Sequence, residues 1–220
     1  FIPALTFILL VSYTVILCMG NGYACDKSNI LSIIDRQLFG EAHLYQKSPI
    51  DPEGFVSTLS AIAHTCIGFS CGKWIIQSHQ TENKVLRLFL TGFILMSIGY
   101  LLADALPLNK RIWSPTFVLV TCGAASMSLA TLMYYIDIRN KQKWCRFFII
   151  FGVNPLFLYV LSEVLAIMMG STGWKAAAYA AIHSGITDAY LASAVYALVF
   201  TLFLGCIGYP LYLKKIYIKL

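Results

Sequence analysis

Phe1-Ile-Pro-Ala-Leu-Thr-Phe-Ile-Leu-Leu-Val-Ser-Tyr-Thr-Val-Ile-Leu-Cys-Met-Gly20 opens the chain with a run that carries no charge and is apolar apart from its hydroxyls. A helix rises about 1.5 Å per residue, so a run of this length matches the roughly 30 Å hydrocarbon core of a bilayer. The stretch reads as a transmembrane helix, and the rest of the sequence decides how many more follow.

Five further apolar runs are spaced along the chain: from about Phe55 to Ile76, Leu88 to Leu106, Ser114 to Ile136, Phe147 to Met169 and Ala189 to Leu213. The composition is 59% hydrophobic and 12% charged, and the mean hydropathy is +0.73. Together these predict an all-α, polytopic transmembrane helical bundle with six spans, forming one membrane domain over residues 1–220, with the lipid bilayer as its first partner. The chain starts inside an apolar run with no initiator methionine, from which further spans are expected upstream of Phe1.

The net charge of +6 does not suggest nucleic acid as a partner, because the bases sit at the ends of the apolar runs, where membrane orientation accounts for them. The links 77–87 and 138–146, the C-terminal tail and Lys73 hold ten bases. The connections 21–52, 107–113 and 170–188 hold six, Lys27, Arg36, Lys47, Lys110, Arg111 and Lys175. The positive-inside rule then makes the ten-base side cytoplasmic and puts those three connections on the outer face. Of the seven cysteines, five (Cys18, Cys66, Cys71, Cys122 and Cys206) lie within apolar runs with no metal-ligand spacing, and read as small core residues. No metal is expected.

Within the spans, a few polar or small residues stand out. Gly68 and Gly72, four apart, predict close helix contact in the second span, and Gly123-Ala-Ala-Ser126 forms a small-residue face in the fourth. His64 reads either as a hydrogen-bonded core histidine or as a functional ionisable group. Ser114-Pro115 predicts an N-cap with proline at the first helical position, and Pro107 a helix stop. Gly152-Val-Asn154-Pro155 interrupts the fifth span, and Asn154 can serve the backbone group freed by the proline or a ligand. Ser162 and Glu163 follow two turns on. Residues 170–188 read as a re-entrant or interfacial link.

The densest polar segment runs from Asp35 to Gly54 and holds four acids, two bases and a histidine. Asp35-Arg36 fits a structural ion-pair arrangement and also a guanidinium fork for a carboxylate or phosphate. Asp51-Pro52-Glu53-Gly54 reads as a helix start, with Asp51 as N-cap, Pro52 at the first position and Glu53 near the positive end of the dipole. Glu53 also suits a sugar hydroxyl or an ammonium. His43 can bond to a sugar or to backbone. Asn109, Lys110 and Trp113 suit an interfacial anchor, and an indole is also a stacking platform for a sugar ring.

Taken together, Ile34-Asp35-Arg36, Gly40, His43-Leu44-Tyr45-Gln46, Asp51-Pro52-Glu53-Gly54 with Thr58, Gly68, Gly72-Lys73, Asn109-Lys110 with Trp113-Ser114, Gly152 with Asn154, and the closing Lys214-Lys215-Ile216 resemble the heparan-α-glucosaminide N-acetyltransferase family. The resemblance runs from about Ile33 to the C-terminus. His64, Asp104, Ser162 and the 170–188 link depart from the family pattern.

The resemblance implies a fold of about eleven spans, of which this chain is similar to the last six. It implies acetyl transfer from acetyl-CoA to an amino sugar or envelope glycan on the outer, periplasmic face of a bacterial inner membrane, with the catalytic histidine upstream of Phe1 and so no catalytic residue in this chain. Asp35, Arg36, His43, Glu53, Asn109, Lys110, Trp113, Asn154 and Glu163 are the expected positioning residues. A transporter or flippase is the alternative, since a broken helix also suits alternating access. Oligomeric state is left open, a homo-oligomer included.

Overall fold

The structure, a computed structural model, describes residues 1–45, 48–77 and 80–218. Gln46 of the polar motif and the charges at Lys47 and Lys219 lie outside the described residues. Among these residues there are helices and turns and no strand. The chain divides into two compact units, 1–140 and 141–220.

The first unit contains α1 (Ile2–Met19), α2 (Ile30–Phe39), α3 (Thr58–Gln77), α4 (Thr81–Leu101) and α5 (Pro115–Met133), the last continued by a π-turn over Tyr134–Ile138. Helices α1, α3, α4 and α5 are each long and apolar enough to cross a membrane. α1 packs on α3, and α4 packs on α5. The connections 20–57 and 102–114 lie at one end of these helices, called the loop end below.

Three boundaries differ from the sequence reading. The helix expected from Leu88 begins at Thr81, because Thr81-Glu82-Asn83-Lys84 forms a polar helical turn with Glu82 in the first turn, where an acid suits the dipole. It stops at Leu101, six residues before Pro107, in a series of turns. The helix expected from Phe55 starts at Thr58, and Asp51 is not its cap: its Oδ1 accepts from the Glu53 N–H at 2.9 Å and its Oδ2 from the Tyr45 N–H at 3.0 Å. The carboxylate is spent on the loop.

The close helix contact is also elsewhere. Added Cβ atoms at Gly68 and Gly72 would meet nothing within 4 Å, whereas one at Gly123 would lie 2.6 Å from the Gly92 carbonyl oxygen and 2.6 Å from the Met96 nitrogen. Backbone meets backbone between α4 and α5, as a small-residue interface in lipid allows. Ser114 caps α5 as expected, accepting from the Phe117 N–H at 3.2 Å.

The connection 21–52 contains α2, a short amphipathic helix. Asn29 starts it: its Oδ1 accepts from the Leu31 N–H, and its Nδ2 donates to the carbonyls of Gly22 and Ala24. α2 buries Leu31, Ser32 and Asp35. Leu31 joins Tyr13, Leu17, Ile50, Val56 and Ile112 in a core that ties α1, α2 and both loop-end connections together.

The second unit contains α6 (Cys145–Val153), α7 (Pro155–Ser171), α8 (Trp174–Gly185) and α9 (Ala189–Leu213). α6 and α7 meet at Asn154 with a bend of 82°, so the interrupted span is a broken helix pair, and among the described residues the candidate spans number five, or six with that pair counted as one. Residues 170–188 are largely helical: Gly173, at φ 78°, makes the left-handed turn into α8, and Asp188 caps α9 by accepting from the Leu191 N–H at 2.7 Å. The chain is an integral membrane protein of polytopic helical type.

Candidate functional site

α2 carries Asp35 and Arg36 on adjacent positions that face different surroundings. Asp35 is fully buried; its Oδ1 accepts from the Phe55 N–H at 2.9 Å, and its Oδ2 has no hydrogen-bond partner. Gly54 is required here, because a Cβ at that position would collide with Oδ2. Burial pushes the Asp35 carboxyl above the usual carboxylate range; the Phe55 hydrogen bond opposes this, and the Asp51 charge adds to it. The expected Asp35–Arg36 ion-pair arrangement therefore takes another form: Asp35 clasps the start of the 55–57 turn, and Arg36 pairs elsewhere.

Arg36 donates from a terminal guanidinium nitrogen to the Pro49 carbonyl at 3.1 Å, which also accepts the Ser32 hydroxyl. Its Nε lies 3.7 Å from Glu41, a distance too long for a hydrogen bond. Glu41 is held instead by Lys27 at 2.8 Å, and the Lys27 hydrogen bond and charge, with the Arg36 charge, lower its carboxyl. These groups line a cavity of about 590 Å³ with Ala42, Leu44, Tyr45, Ser48 and Asp51. Its wall is mixed, charged and apolar: Lys27 and Glu41 pair with each other, and the Asp51 carboxylate is taken up by backbone N–H groups.

The other expected residues of this unit are distributed over the same end. His43 is exposed and donates its Nδ1–H to the Phe39 carbonyl at 2.9 Å, which leaves Nε2 free of that bond. Glu53 is exposed, and no hydrogen bond or ion pair engages its carboxylate among the described residues. Asn109 accepts from the Arg111 N–H at 2.9 Å and so organises its turn, while Lys110 is exposed. Trp113 does not stand free as an anchor. Its ring packs on His64 at 5.9 Å and on Phe117 at 5.7 Å.

His64 departs from the core reading, since its Nδ1 is buried with no hydrogen-bond partner. Buried polar atoms are nearly always paired, so each orphan calls for an explanation. Among the described residues six such atoms occur: Tyr23 Oη, Asp35 Oδ2, Arg36 Nε, Ser60 Oγ, His64 Nδ1 and Trp113 Nε1. All six belong to the loop end of the first unit: the turn after α1, α2, the first two turns of α3 and the turn before α5. Burial pushes the Tyr23 phenol up to about 12, so it stays a neutral donor at physiological pH. Ser60 and Tyr23 were not legible as site residues; the four-residue spacing of Ser60 and His64 was the one local signal available.

Asn154 and Glu163 belong to the second unit. Asn154 donates from Nδ2 to the Ile216 carbonyl and accepts at Oδ1 from the Ile218 N–H, both at 2.8 Å. Its amide mimics a peptide group and fastens the C-terminal segment over the helix break. Glu163 is exposed on α7. Replacing Asn154 with alanine removes two bonds of about 0.5–1.5 kcal/mol each. Unfolding in detergent is expected to shift down by roughly 2 kcal/mol, and hydrogen exchange at Ile218 to accelerate.

Asp35 carries a pH prediction. A carboxyl raised in the folded state binds more protons folded than unfolded, so its contribution to stability is complete below the unfolded value of about 3.9 and is lost as pH rises through the folded value. Asp35→Asn keeps an acceptor for the Phe55 N–H and is expected to flatten that fall. Unfolding midpoints of the two proteins across the acidic range check this.

No protein-family model matches the chain. The sequence is 27% identical over 204 residues to heparan-alpha-glucosaminide N-acetyltransferase of Mus musculus, covering 85% of this chain and 30% of that protein. It is 28% identical over 204 residues to the enzyme of the same name from Homo sapiens, covering 85% of this chain and 29% of that protein. The chain is related to that family. It spans under a third of the length of these curated relatives, and the family relation agrees with the resemblance carried by the Asp35-Arg36 and Asp51-Pro52-Glu53-Gly54 motifs.

Proposed function

We propose that this chain is part of a membrane acetyltransferase that moves an acetyl group from acetyl-CoA to the amino group of an amino sugar or envelope glycan. The gathering at the loop end of six buried polar atoms without hydrogen-bond partners, beside a cavity with charged residues in its wall and in a relative of N-acetyltransferases, supports this reading. The loop end then faces the periplasm of a bacterial inner membrane, as the distribution of bases favours. The acceptor enters there.

In this reading Glu53 pairs with the acceptor ammonium before the proton is lost, since only the free amine is a nucleophile. Arg36 and Lys110 meet hydroxyl or anionic groups of the glycan, His43 offers Nε2, and Asn109 fixes the turn that carries Trp113. Asn154, the residue expected nearest the acyl donor, acts through the C-terminal segment it holds, and Glu163 is a further positioning residue of the second unit. The general base is not assigned to a residue of this chain.

The 82° break at Asn154 favours a second reading, transport. Full-length protein in vesicles, supplied with labelled acetyl-CoA on the cytoplasmic side and glucosamine on the other, separates the two. Labelled N-acetylglucosamine supports the acetyltransferase. Passage of unmodified sugar without acetylation supports transport.

A further inference from the structure

We propose that the Ser60 hydroxyl, His64 Nδ1 and the Trp113 indole N–H together form the hydrogen-bonding seat for the carbonyl oxygen of the acyl group being transferred. This rests on the acetyltransferase reading above and adds the groups that stabilise its charged intermediate.

Ser60 is fully buried, and none of the three polar atoms has a hydrogen-bond partner. Ser60 and His64 are four residues apart on α3 and so stand one turn apart on the same face. The His64 and Trp113 rings are in contact, with 5.9 Å between centroids and 55° between planes. Phe117 supports the indole edge-on at 5.7 Å. The donor set is therefore built from two elements and held by packing.

The chemistry of the atoms selects the ligand. An indole N–H only donates, so the seat needs an acceptor; hydroxyl and imidazole can both donate as well, so all three groups have the chemistry to serve an acceptor oxygen. Trp113 also has φ 52°, a left-handed conformation that a bulky residue seldom adopts, and backbone strain of this kind concentrates at functional sites.

In the transfer, the amine nitrogen bonds to the thioester carbonyl carbon and the π pair moves onto oxygen. The pair returns as the C–S bond breaks, the nitrogen loses its proton, and the sulfur takes up a proton to leave as a thiol. The oxygen carries negative charge between these events. Donors fixed around it beforehand lower the barrier without reorganising.

Trp113→Phe keeps the ring and deletes only the N–H. In the vesicle assay with full-length protein, kcat is expected to fall about 10²-fold while KM for acetyl-CoA and the unfolding midpoint stay near wild type. His64→Ala is expected to lose activity similarly, and His64→Asn, whose amide N–H takes the place of Nδ1–H, to regain most of it. An active wild type with an equally active Trp113→Phe overturns the seat and leaves the indole binding an ordered water only. A wild type that transfers no acetyl overturns the acetyltransferase reading, and the seat with it.

Discussion

Gly123→Val is expected to force α4 and α5 apart and to destabilise the first unit strongly. The new Cβ would stand 2.6 Å from the Gly92 carbonyl oxygen, 2.6 Å from the Met96 nitrogen and 2.8 Å from the Met96 Cβ. Two of those three atoms are backbone and cannot rotate away. The reverse view is the same, since a Cβ at Gly92 would meet the Gly123 oxygen at 2.7 Å and the Met127 nitrogen at 2.9 Å.

Overpacking a filled interior costs about 1–3 kcal/mol where side chains can adjust, and here whole helices must move, so the upper end is expected. The detergent unfolding midpoint reads this directly. A valine variant that unfolds with the wild type would show that α4 and α5 do not cross at these glycines.

Gly54→Ala is expected to destabilise for a different reason, through a side chain that must move rather than through backbone. Its Cβ displaces the Asp35 carboxylate, whose other oxygen is the partner of the Phe55 N–H at 2.9 Å. Losing that part-buried hydrogen bond costs about 0.5–1.5 kcal/mol, and the steric displacement adds to it. The two effects are coupled, which provides a check. In Asp35→Ala the colliding oxygen is gone, so adding Gly54→Ala to it should cost much less than Gly54→Ala alone, whereas independent sites would add. The same variant is expected to misplace Glu53 and to lower acetyl transfer even where the protein remains folded.

These two glycines show where the sequence was legible. The spans could be read because a bilayer demands long uninterrupted apolar runs, and α1, α3, α4, α5 and α9 fall on them. The break at Asn154 was legible because Gly152-Val-Asn154-Pro155 carries the chemistry of interruption. Gly68 and Gly72 and the Gly123-Ala-Ala-Ser126 face both read as places of close approach, and only the second is one, since spacing along one helix says that a close approach is allowed, not which helix approaches. Gly92 and Gly123 are paired only by the packing of α4 on α5.

The polar residues divide in the same way. The density of charge between Asp35 and Gly54 marked the right region, but it could not show that Asp35 points inward while Arg36 reaches Pro49 and the cavity. α2 was hidden because its ten residues, begun by the Asn29 cap, are short and embedded in polar sequence. Asp51 had a capping signature, and the loop used its carboxylate first. The contact of His64 with Trp113 joins residues far apart in the chain, and no local pattern encodes it.

The loop end of the first unit is proposed to bind the amine acceptor. Glu53 tests it most directly, because its exposed carboxylate has no partner to lose among the described residues, and Glu53→Gln should fold as the wild type does. Steady-state acetyl transfer by the full-length Glu53→Gln protein in vesicles is the measurement. The account predicts that KM for glucosamine rises about tenfold, the effect of losing roughly 1.4 kcal/mol of binding, while KM for acetyl-CoA is unchanged. An unchanged KM for glucosamine, or a rise confined to acetyl-CoA, would contradict it.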